Sequence, residues 1–236
     1  MVASSPAPDL TVPAKDDREG SLPPLLFVLT VVTGLVDAVS YLALGHVFVA
    51  NMTGNVVFLG FAVAGAPGFS IPASLVAIAA FLAGALAGGR LGSSMAQQRS
   101  RFFAVAMLIK LGLVGIAFVA AIVLADADLI RYGLIVSLAL AMGLQNAAAR
   151  FLAVPDLTTT VLTLTLTGLA ADSTLAGGTN PRVARRLLAA AAMFVGAAVG
   201  AFLVLHIGVG AALALTFALL GLNAVAAYRV WSRSAA

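Results

Sequence analysis

The chain contains no cysteine, only two histidines and one tryptophan, and few charges for its length of 236 residues. Without Cys there are no disulfides, no thiolate nucleophile and no thiolate metal site. His46 and His206 offer no metal-ligand spacing, so no metal or other cofactor is expected. Paired carboxylates at one site are also missing, and no acid-base or nucleophilic set can be assembled, which argues against an enzyme. Charged residues make up only 9% of the chain, against about a quarter in an ordinary soluble domain. So little polar surface cannot cover a water-soluble fold of this size, and most helices must face lipid.

What the chain has in quantity is apolar sequence, 62% of the residues with a mean hydropathy of +1.10. Its runs are 25–45, 47–66, 71–89, 102–124, 132–149, 157–171, 183–205 and 207–230. Spanning a hydrocarbon core of about 30 Å takes about 20 helical residues, which most of these supply. The second and sixth runs fall short. They open on Asn51-Met52-Thr53-Gly54-Asn55 and Asp156-Leu157-Thr158-Thr159-Thr160 and leave about 11 to 15 apolar helical residues after them. Residues 1–24, rich in Ser, Pro, Ala and Asp, read as a disordered cytoplasmic tail rather than a signal peptide.

A net charge of +4 and a pI near 10.1 do not imply nucleic acid, because the basic residues lie between apolar runs instead of forming a patch. They act as topology signals. If all eight runs crossed from a cytoplasmic tail, Arg90, Arg99, Arg101 and Arg150 would lie outside, against the positive-inside bias. If the two short runs enter and leave on one side, those residues and Arg182, Arg185, Arg186, Arg229 and Arg233 are cytoplasmic, and only Arg131 is outside. Lys110, inside the fourth run, is expected to snorkel toward the cytoplasmic end. Tyr41, Tyr228 and Trp231 fit interfacial anchors.

The predicted fold is therefore all-α, with six transmembrane helices plus two re-entrant half-helices and both termini cytoplasmic. Gly34-Leu35-Val36-Asp37-Ala38 parallels Gly143-Leu144-Gln145-Asn146-Ala147, and Gly84 with Gly88 parallels Gly196 with Gly200. Three crossings per half force opposite orientations, an inverted 3+3 repeat. Its halves are 25–125 and 126–231, with 232–236 a short cytoplasmic C-terminus. The paired glycines read as helix-packing faces, and the Gly-rich stretch 176–181 as a cytoplasmic linker.

Asp37 is the acidic residue placed deep inside a full span, where a carboxylate costs several kcal/mol unless paired, hydrated or protonated. It reads either as a coupling or solute-contacting group or as a structural hydrogen bond to Asn146, its counterpart in the second half. The polar stretches Asn51, Thr53, Gly54, Asn55 and Thr158, Thr159, Thr160 open two half-helices whose positive ends suit a small polar or anionic solute. The alternative is that Asn and Thr only cap their helices and bond their own backbone.

The string Gly34-Leu35-Val36-Asp37-Ala38-Val39-Ser40-Tyr41, continued by 47–55 with its Met52-Thr53-Gly54-Asn55 block, resembles the YoaK-like family of bacterial membrane proteins of unknown function. The resemblance covers about residues 25–231 and marks Asp37, Thr53, Gly54 and Asn55 as motif positions. It implies a bacterial inner membrane and supplies no activity. The expected function is a small-solute transporter or channel of unspecified substrate, with membrane lipids as the other partner. The alternative is a non-transporting assembly or lipid-interacting protein.

Overall fold

The computed structural model describes residues 22–123, 128–154, 159, 162–179 and 182–234. Eight α-helices occur in them: α1 (Leu22–Ala43), α2 (Met52–Val63), α3 (Ile71–Ser94), α4 (Arg99–Val123), α5 (Asp128–Leu152), α6 (Leu162–Ala171), α7 (Val183–His206) and α8 (Val209–Ser234). All but α2 and α6 are long and apolar enough to cross a bilayer. Helix α1 starts at Leu22, three residues before the expected first apolar run. Pro23 and Pro24 fit there because the first turn of a helix has no partner for its N–H groups.

The core is made by helix pairs in contact along their length: α3 with α5, α1 with α7, α4 with α8 and with α5, and α1 with α8. Glycine sets the two closest approaches. Gly84 and Gly88 of α3 lie against Leu140, Leu144 and Ala147 of α5, and Gly143 of α5 lies against Phe81 and Ala85 of α3. On the other pair, Gly196 and Gly200 of α7 lie against Val31, Leu35 and Ala38 of α1, and Gly34 of α1 against Met193 and Ala197 of α7. Residue numbers rise together across both contacts, so each pair runs parallel. Any Cβ at Gly34, Gly84, Gly143 or Gly196 would meet neighbouring backbone, which is why small residues are needed there.

Helix α4 runs antiparallel to both of its neighbours. Its start meets the end of α5, where the Arg99 guanidinium donates to the Leu152 carbonyl, and the end of α8, where Arg101 lies 6.0 Å from the Trp231 ring. Its far end meets the start of α8 at Ile122 and Gly210. All long helices thus end on two faces. One face carries Arg90, Arg99, Arg101, Arg150, Arg182, Arg185, Arg186 and Arg229, and the other carries Arg131, paired with Asp128 at 3.1 Å.

The short helices differ from the rest. Helix α2 rests on α3, α6 rests on α7, and each buries a single residue, Asn55 and Thr165. The chain leaves α1 and joins α3 on the Arg131 face, where a His46 ring nitrogen lies 3.0 Å from the Gly68 carbonyl oxygen. It leaves α5 and joins α7 on the arginine-rich face, where Arg186 of α7 pairs with Asp172 at 2.8 Å and donates to the Gly168 carbonyl of α6.

Candidate functional site

Asp37 sits in α1 two turns before the helix ends and is buried. Its carboxylate accepts the backbone N–H of Ala50 at 3.1 Å. The segment after α1 therefore doubles back into the bundle to the level of Asp37, about 9 Å from the end of α1 at 1.5 Å per helical residue. Helix α2 begins at that depth.

The Met-Thr-Gly-Asn block holds this lead-in in shape. Asn51 is the N-cap, its side-chain oxygen accepting the Gly54 N–H at 3.2 Å. Asn55 is fully buried and works like one rung of a β-ladder: its side-chain oxygen accepts the Phe48 N–H at 2.8 Å, and its amide donates to the Phe48 carbonyl. At Gly54 the Phe48 ring occupies the place of a Cβ. Phe48 in turn stacks on Tyr41 and Phe58, with centroids 5.2 and 5.5 Å apart. Thr53 is exposed. Asn51, Gly54 and Asn55 are thus spent on local backbone, in the manner of the capping alternative.

The second lead-in is fastened differently. Thr158 and Thr160 lie outside the described residues, and Thr159 is buried with φ +63°, a left-handed conformation that a β-branched residue rarely adopts. Its hydroxyl accepts from the Gln145 amide at 2.9 Å. The same amide nitrogen donates to Thr33 of α1, also at 2.9 Å, and the Gln145 oxygen accepts from the Lys110 ammonium of α4. Thr33 passes its own proton to the Leu29 carbonyl at 2.9 Å. Asn146 donates to the Met142 carbonyl within its own helix at 2.9 Å, so Asp37 and Asn146 take different partners.

Lys110 corrects an expectation. It does not snorkel; it is fully buried and turned toward α5. It lies about 16 Å along α4 from Arg99 by helical rise, farther than a lysine stem spans. A lysine so far from either end of an apolar run was the available sequence signal. Gln145 carried a weaker one, as the polar neighbour of the Asp37 counterpart. Together, Lys110, Gln145, Thr33 and Thr159 join α4, α5, α1 and the lead-in to α6 in one buried polar cluster. Among the described residues no group of His, Cys, Asp or Glu could hold a metal ion.

Six membrane-length apolar helices around a buried polar cluster define a polytopic helical membrane protein. The chain belongs to the family described as protein of unknown function (DUF1275), which matches residues 25–226. It is similar to the UPF0700 transmembrane protein YoaK of Bacillus subtilis (strain 168), with 34% identity over 148 residues, 63% of this chain and 65% of that relative. The match thus spans just under two thirds of the relative's length. No solved structure matches the chain.

Proposed function

We propose that the protein is a non-enzymatic small-solute transporter or channel of the bacterial inner membrane, with its site between the lead-ins to α2 and α6. One observation carries this reading. Ala50 is fastened from α1 by Asp37, and Thr159 from α5 by Gln145, so two broken-helix openings converge on polar side chains inside the bundle. Irregular backbone at membrane depth is tolerated where protein or a water-lined cavity satisfies it, and such openings are where many transporters bind solute.

An inverted repeat supports the same reading. Exchanging α1–α4 for α5–α8 turns the α1·α7 contact into the α5·α3 contact, and Gly84 on Leu140 into Gly196 on Val31. Ala50 and Thr159 lie inside the bundle while α2 and α6 lead back to the faces where α1 and α5 end, so α2 and α6 are half-helices and each half crosses three times. The arginine-rich face is then cytoplasmic, with both termini, and the Arg131 face external. The partners are membrane lipids and a small polar or anionic solute.

A second reading has support from Asn51, Gly54 and Asn55, which are satisfied by their own backbone. They would then lock the fold of an assembly or lipid-interacting protein. The two readings separate on water. Single cysteines at Asn51 and Thr159, in a chain with no native thiol, should react with a membrane-impermeant thiosulfonate in sealed vesicles from at least one side. Thiols buried in a dry scaffold or in lipid do not ionise and do not react, and silence at both positions would favour the scaffold.

A further inference from the structure

Lys110 has no part in a purely local lock of the lead-ins. It is fully buried in the middle of α4, and among the described residues no carboxylate pairs with it. An ammonium has three donors, and the Gln145 oxygen takes one. A neutral amide is a weak partner for a buried cation, because it supplies no countercharge. The same Gln145 holds Thr159, whose left-handed backbone stores strain that persists only while its surroundings impose it.

Resting on the solute-site reading above, we infer that Lys110 is the anion-recognition group of the central site. A small monovalent anion, a carboxylate or a halide, binds its ammonium in place of the Gln145 side-chain oxygen and thereby frees Thr159. Three features point the same way. An anion supplies the countercharge that the neutral Gln145 oxygen lacks. The anion and the ammonium form a net-neutral pair, which lowers the cost of charge at membrane depth. Release of Gln145 lets the strained Thr159 backbone relax.

The test uses the full chain in nanodiscs, in a background of a bulky sulfonate too large for such a site, titrated separately with sodium formate and sodium chloride while melting is followed. At least one of the two salts should raise the melting temperature saturably. Lys110→Met should abolish the rise and Lys110→Arg should keep it. Gln145→Leu removes the competing oxygen and should lower the midpoint concentration about tenfold or more, the worth of one hydrogen bond to a charged group. Arg90→Gln, at the exposed end of α3, should respond like the parent protein. No saturable rise with either salt, an equal rise in Lys110→Met, or loss of the rise in Arg90→Gln would overturn the inference. If Lys110→Met does not fold, an unchanged midpoint in Gln145→Leu overturns it instead. Thiol labelling at Asn51 or Thr159 without any anion response would sink this inference and leave the transport reading standing; silence at both positions would remove both.

Discussion

At the scale of single residues, the two polar side chains nearest the first lead-in make opposite demands on a substitution. Asp37 serves as an acceptor for the backbone N–H of Ala50, and an amide oxygen can do the same. Asp37→Asn should therefore melt close to the parent protein, whereas Asp37→Leu leaves a buried donor without its partner and should lose about 1 to 3 kcal/mol, read by melting in detergent. If Asp37 also couples proton movement to transport, Asn should abolish proton-driven uptake while the fold persists. Asn55 both donates and accepts with Phe48, so no apolar residue can replace it. Asn55→Leu should sharply raise amide hydrogen exchange over residues 48–55, because the lead-in loses its rung while the long helices keep their packing.

At the scale of elements, the parallel pairs α3·α5 and α1·α7 depend on glycines whose missing Cβ leaves room for the partner's backbone. Gly84→Leu and Gly196→Leu should each cost about 1 to 3 kcal/mol or more, because the intruding side chain meets carbonyl groups that cannot rotate away. Gly112→Leu and Gly221→Leu provide the contrast, since a Cβ there meets open space. Equal melting losses in all four variants would show that glycine content, not close approach, matters. The paired Gly-x-x-x-Gly spacings were legible in the sequence as packing faces. Their partners were not, because spacing marks a face without saying which helix lies against it.

At the scale of the whole molecule, the arginines gather on one face while Arg131 stands on the other. Cysteines at Ser93 and Ala176 should label only from the cytoplasm and one at Ala64 only from outside; a shared side for all three would overturn the two-half-helix topology. That prediction depends on α2 and α6 returning to the face the chain left, and the His46 contact with Gly68 ties the segment after α1 to the segment before α3 there.

Apolar run length by itself determined the helix count, the six membrane-length helices and the two short ones, because the bilayer imposes a length that composition alone must meet. The polar opening at Asn51 to Asn55 was equally plain, since its Asn, Thr and Gly interrupt an otherwise apolar run. The cluster around Gln145 was decided only by the tertiary structure. Lys110 and Gln145 are 35 residues apart, and Thr33 and Gln145 are 112 apart. A lone lysine in an apolar run can reach for the interface or turn inward. The choice was made by which face of α4 packs against α5, a matter of side-chain volumes on three helices at once. Helical period and charge order along one chain do not contain that information.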